Sequence, residues 1–381
     1  MGLLLIGANL RTAITSVGPV IPEIRDDLLL PSSVAAVLIS VPLLAFALVS
    51  PLAPGLATRI GLDRSLALGL LGLAAGIVLR SIPWEPGLWL GTALLGSAVA
   101  VLNVLLPALV KRDRPDRIGP YTGLYSSVQG GAAAIAAGLA VPLSSATDAG
   151  WRLGLGIWAG LALIAFAVFL PRLVRRSAVP DSVVLSSATT PARSPWRSPL
   201  GWQVSIFMGM QSTVFFSLAT WLPTLEADAG FTAAEAGLHL FVMNVCGIPG
   251  SLMMAAVIHR MPDQRLIAAV TSITCAVGVV GLMLLPQLAL LWVCVMGFSC
   301  GATIVLGLSL FGLRSVDHRQ AAALSGMGQS VGYLIASVGP PLMGALHDVT
   351  GTWVPVLAAL LVALAVQFTT GQLAGRRRVI G

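Results

Sequence analysis

Apolar residues in this chain fall in long runs rather than at the spacing of a half-buried helix or an alternating strand. Twelve runs stand at roughly 2–22, 33–56, 65–82, 87–110, 119–146, 152–171, 201–224, 232–258, 265–285, 288–312, 321–347 and 353–374. Each is long enough to cross a hydrocarbon core of about 30 Å at about 1.5 Å per residue. In lipid the backbone must satisfy its own N–H and C=O groups, so runs of this length predict helices. The pattern predicts an all-α integral membrane protein of twelve transmembrane helices. The first run lacks a basic leader and a small-residue cleavage site, so it is expected to stay as a helix.

Polar positions between the runs recur at a nearly constant distance. Val20-Ile21-Pro22 closes the first run and Trp221-Leu222-Pro223 the seventh. Arg59 and Asp63 recur as Arg260 and Asp263, Asp116 as Asp317, Gln129 as Gln329, and Trp151 as Trp353, at offsets of 200 to 202. Six matches in one register predict a duplicated six-helix unit. The domains expected are a bundle over 1–170, a polar linker over 171–199 and a second bundle over 200–381. Parallel repeats of this kind place a solute site near the midplane, where the two bundles meet.

Composition agrees: 56% of residues are hydrophobic, 10% are charged and mean hydropathy is +0.92, which excludes an ordinary soluble domain. The net charge of +7 is localised. Eighteen of the 22 basic residues fall on one side of the twelve-helix plan, and only Arg25, Arg80 and Arg152 are expected on the other, with Arg11 inside. The positive-inside rule then predicts a plasma-membrane protein with both termini cytoplasmic. The basic pI is a topology signal and gives no reason to expect nucleic acid. Acids are expected in the opposite loops, among them Glu23, Asp26, Asp27, Glu85, Asp148, Glu226 and Asp228, and none at mid-helix. The four cysteines have no metal-ligand spacing, and no cofactor or metal is expected.

Several segments resemble the major facilitator superfamily, and within it the cyanate-permease and nitroimidazole-transporter branch. They are Asn9-Leu10-Arg11-Thr12-Ala13-Ile14-Thr15-Ser16-Val17-Gly18-Pro19 in helix 1, Gln211-Ser212 and Trp221-Leu222-Pro223 in helix 7, and Ala233-Ala234-Glu235-Ala236-Gly237 with Gly247-Ile248-Pro249-Gly250 in helix 8. Ser325 to Tyr333, with His347-Asp348 and Thr350-Gly351, continues the resemblance in helix 11. It implies a twelve-helix secondary transporter working as a monomer on a small solute. One loop departs from the family pattern. Between helices 2 and 3, Arg59 and Gly61 are kept, but Thr58 stands where an Asp is usual, and His259-Arg260 fills the equivalent place in the repeat. Asp63 and Asp263 are the candidate substitutes in this gating loop, with Arg59 and Arg260.

Arg11 is the leading candidate for solute recognition. A charge at membrane depth costs at least ~2.5–3.5 kcal/mol, and a guanidinium fork suits a planar anion. Gly7, Ala8, Thr15 and Gly18 are its expected neighbours at helical spacing. Other candidates are Tyr125 and Gln129 in the helix 5 stripe that starts at Tyr121, and Gln329 and Tyr333 in the helix 11 stripe from Ser325 to Ser337. Gln211, Phe215 and Phe216 are candidates in helix 7, Asn103 in helix 4 and Asn244 in helix 8. His239, one turn after Glu235, is the candidate for proton coupling.

The function expected is secondary transport, by alternating access, of a small anionic or polar planar solute resembling cyanate or a nitroimidazole. A proton-coupled exporter of drugs or metabolites is the alternative. An intramembrane enzyme is disfavoured, because no nucleophile–base pair or carboxylate pair is expected at depth. The absence of a phosphate-binding Gly-rich loop with Lys-Ser/Thr disfavours primary pumping.

Overall fold

The computed structural model describes residues 2–29, 32–176 and 194–380. Residues 177–193 of the expected linker lie outside the described residues. Every run is helical. The first is α1 (Gly2–Thr15) and α2 (Val17–Leu28), and the second is α3 (Ser32–Val49) and α4 (Ala53–Ile60). Next come α5 (Leu62–Ser81), α6 (Glu85–Asp113) and α7 (Ile118–Ser144), then a sixth run in two pieces, α8 (Trp151–Gly156) and α9 (Trp158–Arg176). The remaining six are α10 (Pro199–Asp228), α11 (Ala233–Val257), α12 (Arg265–Leu284), α13 (Ala289–Leu313), α14 (His318–Thr350) and α15 (Val354–Ala374). Ten segments among the described residues are long and apolar enough to cross a membrane. The broken α3–α4 run and α14, which carries Gln320, Ser325, Gln329 and Ser330, complete the twelve.

The three broken runs were expected to be continuous, and local chemistry explains the breaks. Pro19 has no N–H to close onto Thr15, so α1 stops there and Ser16 turns the chain into α2. Pro51 has the same effect between α3 and α4. In the sixth run Gly154 and Gly156 lead into the turn at Ile157. The first break separates Gly18 from Arg11: Gly18 is exposed on α2, whereas Gly7 and Ala8 are buried on α1.

Contacts group the described residues into two compact units. One comprises the described residues of 2–29, 32–109 and 128–176, the other those of 110–127 and 194–380. In the first, α5 and α6 touch backbone to backbone: a Cβ on Gly76 would lie 2.6 Å from Leu95 N, and one on Gly91 2.4 Å from Arg80 N. In the second, α11 and α13 do the same through Gly247, Gly250, Gly297 and Gly301. Here, too, the start of α7 lies against α11, Gly119 facing Ile258 and Gly123 facing Ala255. Small residues at such crossings are the usual basis of helix association in lipid, where burying apolar surface supplies no drive. Many large apolar side chains point outward at mid-helix, among them Ile135, Leu163, Leu252, Val270 and Val362, as a lipid-facing surface requires.

The units also share a device. In the first, the Trp151 indole donates to Asp27 Oδ2 at 3.1 Å, Arg152 Nη1 sits 2.8 Å from the same oxygen, and its guanidinium lies 4.3 Å from the Trp151 ring. In the second, Trp353 donates to Asp228 Oδ2 at 2.7 Å, and His347 stacks on Trp353 at 4.1 Å with Nε2 3.8 Å from Asp228. Asp27 and Asp228, like Trp151 and Trp353, occupy matching positions of the repeat. The basic side chain comes from a different place in each copy.

Candidate functional site

Arg11 stands near the middle of the Gly2–Leu28 run and is half-buried, between Leu10 and Thr12, which are 1% and 0% exposed. Thr15 closes α1. Its hydroxyl lies 3.0 Å from Arg11 O and 3.2 Å from Ala133 O, tying the end of α1 to α7. Asn103 is buried on α6, and Gln129 is half-buried on α7. These four belong to the first unit.

In the second unit α10 and α14 pack along their lengths, and this pairing brings several candidates together. The rings of Phe215 and Phe216 meet edge to face at 5.5 Å, and Phe216 lies 6.4 Å from Tyr333. Gln211 Nε2 donates to Ser212 Oγ at 2.7 Å, and Gln329 Nε2 to Ser325 Oγ at 3.1 Å. Tyr125 is 1% exposed, with its ring packed away. Asn244 is exposed on α11 and bonds back to Leu240 O at 2.8 Å.

The α10–α11 corner corrects the acid census. Glu226 was expected in a loop, yet it lies in the last turn of α10 with 0% exposure, and Oε2 is 3.0 Å from His239 Nδ1. The local sequence builds this contact. Gly230, at φ +95°, reverses the chain so that Phe231 N–H returns to Glu226 O at 3.0 Å. Thr232 and Glu235 then form a capping box that starts α11, and His239 follows one turn later. The Phe231 ring covers the imidazole edge to face at 5.5 Å. Glu226 Oε1 is buried with no hydrogen-bond partner among the described residues. Hydropathy could not reveal this acid, because it sits at the polar end of an apolar run. The capping-box spacing after Gly230 was the available signal.

On the arginine-rich side, Arg59 and Arg260 are exposed. Asp63 is buried at the start of α5, with Oδ1 3.8 Å from Arg172 Nε on α9. Asp263 Oδ1 accepts from Arg265 N at 3.2 Å. The residue missed by sequence is Arg314, 3% exposed just past α13. It donates to Ala374 O at 2.7 Å, to Gly375 O at 3.0 Å and to Gln264 Oε1, knitting the ends of α13 and α15 to the loop before α12. Burial lowers its guanidinium to about 10, with Asp263 acting in the opposite direction. Arg80, expected at the far-side end of the third run, lies in the last turn of α5 but is only 1% exposed, and Nη1 donates to Ala13 O at 2.7 Å.

A family model described as Major Facilitator Superfamily matches residues 3–340, and the chain belongs to this family of transporters. It is 42% identical to the 2-nitroimidazole transporter of Escherichia coli K12, over all of this chain and 95% of that one. It is 29% identical to the cyanate transport protein of the same organism, over 92% of this chain and 90% of that one. Among solved structures, a proton:xylose symporter bound to 6-bromo-6-deoxy-D-glucose superposes with a TM-score of 0.75 at 11% identity. That match covers all of this chain and 95% of the other, and establishes the fold. The protein is a multi-pass membrane transporter of small-molecule solutes, with the twelve-helix fold of two pseudo-symmetric bundles that the sequence predicted.

Proposed function

We propose that this transporter moves a small anionic or polar planar solute across the plasma membrane by alternating access, with Arg11 as the charge-recognising residue. Arg11 itself carries this reading: it is a permanently charged side chain, half-buried near the middle of the first run and flanked by fully buried residues. Keeping a charge at that depth is costly unless function uses it. The relatives support the solute class, since one is named for 2-nitroimidazole and another for cyanate. Thr15, Asn103 and Gln129 are the polar groups that serve the solute in the first unit. In the second, Gln211, Gln329, Tyr333 and Asn244 offer hydrogen bonds, and Phe215 and Phe216 offer flat faces. The protein works as a monomer with both termini cytoplasmic.

Coupling, in this reading, runs through Glu226 and His239. A carboxylate and an imidazole 3.0 Å apart, removed from water, can hold or release one proton between them. Glu235 and Phe231 on the adjoining turn, with Asp228 and His347 at the same end, are the neighbours that tune the pair.

The test is uptake of cyanate and 2-nitroimidazole into proteoliposomes, with and without a pH gradient. Arg11→Lys and Arg11→Ala each lose one charge-assisted fork, worth ~1.5–3 kcal/mol or roughly 10–150-fold in apparent affinity. Unchanged affinity in both variants for a transported solute would sink the role of Arg11. Glu226→Gln and His239→Gln are expected to exchange solute yet lose gradient-driven accumulation. Accumulation that persists in both removes the pair from coupling.

A further inference from the structure

Arg80 is almost entirely sequestered, yet only one part of its guanidinium is satisfied. Nη1 donates to Ala13 O in the last turn of α1, as a cation at a helix C-terminus should. Nε and Nη2 are both buried with no hydrogen-bond partner among the described residues. These two nitrogens point their N–H groups the same way along one edge of the guanidinium. That edge is the two-donor fork that grips both oxygens of a planar oxyanion. Capping α1 therefore uses one corner of Arg80 and leaves a complete bidentate edge open.

The surroundings point to an acceptor from outside the chain. Thr12 Oγ1 and Ser16 Oγ, which flank Ala13 on the broken helix, are buried and have no partner among the described residues. The indole Nε1 of Trp158 is in the same condition. Two bonds set the direction of the sixth run against the first: Asn9 Nδ2 on α1 donates to Leu161 O on α9 at 3.3 Å, and Trp151 Nε1 on α8 to Asp27 on α2 at 3.1 Å. The sixth run thus lies antiparallel to the first. One turn from Asn9 along α1 is Ala13, and one turn back from Leu161 along α9 is Trp158, so the indole arrives at the level of the Arg80 contact. Gly91 matters on the other side, because its missing Cβ lets α6 press onto the Arg80 backbone. A desolvated guanidinium with one neutral acceptor, at the level of two buried hydroxyls and an indole N–H that also lack partners among the described residues, is an incomplete arrangement.

We infer that the open edge of Arg80, with Trp158 and the Thr12 and Ser16 hydroxyls, is a binding site for a planar oxyanion of the carboxylate or nitrate type. It lies inside the first unit, beside the α1–α2 break. The ion joins α1, α5 and α9 by accepting from all three, and it is separate from the role given to Arg11.

Tryptophan-fluorescence thermal shifts of the full-length purified protein test this, comparing sodium formate and nitrate with sodium chloride at equal ionic strength. Chloride carries the charge without two coplanar oxygens. Wild type is expected to show a saturable rise in Tm with formate, roughly 3–6 °C at about a hundredfold excess over Kd. Arg11→Lys, which removes the fork of the solute site, should retain the shift, and adding Arg80→Lys to it, which keeps the charge but loses the second fork, should abolish it. Equal Tm in formate and chloride for wild type, as a water-filled site would give, overturns the proposal. So does a shift that survives in the variant carrying both Arg11→Lys and Arg80→Lys. A shift abolished by Arg11→Lys reassigns the anion to the solute site and equally overturns it. Should Arg80→Lys fail to fold, Trp158→Phe serves instead. Removing that one N–H should move the formate midpoint about tenfold, and an unmoved midpoint counts against the site.

Discussion

The α11–α13 crossing supports a sharp test of packing. A Cβ added at Gly301 would lie 1.9 Å from Gly247 O and 2.6 Å from Gly247 Cα. Ordinary contact begins at 3.4 Å, so the two backbones would have to part by about 1.5 Å. No flexible side chain can yield there, because the opposing atoms are main chain. The same crossing is pinned by Gly297 against Met243 O, at 2.1 Å from a built Cβ, and by Gly250 against Phe298 O, at 2.0 Å. Parting the helices also stretches the bond from Ser251 Oγ to Gly301 O, now 2.9 Å. Overpacking costs ~1–3 kcal/mol and the strained hydrogen bond about 1 more, while the better helix propensity of Ala returns ~1. Gly301→Ala should therefore lose about 2 kcal/mol, or roughly 2–4 °C of Tm. Gly160→Ala on α9 is the matched control. Nothing lies within 4 Å of its built Cβ, so its Tm should stay level or rise. Thermal denaturation of both variants in one detergent decides the matter. A Gly301→Ala protein melting with wild type, or a Gly160→Ala protein falling as far, refutes close backbone packing as the cause.

Other consequences follow from the paired polar contacts. Trp151→Phe and Trp353→Phe each remove one indole–carboxylate bond at matching repeat positions; because the aspartates are half-exposed, each should cost only about 1 kcal/mol, and by similar amounts. A loss confined to one of them would break the equivalence of the two clasps. Arg314→Gln strands Ala374 O and Gly375 O and should cost about 2–4 kcal/mol, read as a lower Tm. Arg314 also has a pH signature. Burial lowers its pKa to about 10, so from there up to its ordinary, higher value the unfolded chain binds more protons than the folded one, and this group's contribution to stability rises with pH. Wild type measured against Arg314→Gln from pH 9 to 11 should show that trend, and a flat difference would remove burial as the cause of the shift.

Much of this architecture was legible beforehand. Lipid offers the backbone no hydrogen bonds, so a run of about twenty apolar residues leaves a single spanning solution, the helix. The repeat was equally legible, because Trp151 with Trp353 and Arg59 with Arg260 keep register without reference to three dimensions. Helix breaks were less so. Pro19 and Pro51 signal them, but Pro107 and Pro142 stay within continuous helices, so a proline alone does not say which run will break. Arg11, Gln211 and Tyr333 were visible as polar residues in apolar runs. Phe216 meeting Tyr333 depended on how α10 pairs with α14, which no local window contains.

By itself, then, the sequence determined the membrane class, the twelve spans, the duplication and the family, all consequences of local composition or of spacing along the chain. Only the tertiary structure decided which charged residues are buried. Glu226 lies just past one apolar run and Arg80 in the last turn of another, where hydropathy alone predicts exposure at the membrane surface. Their burial depends on partners 13 and 67 residues away, His239 and Ala13. Asp27 reaches Trp151 across 124 residues. A residue near a helix end becomes buried or exposed according to what packs against it, and that packing exists only once the chain has folded.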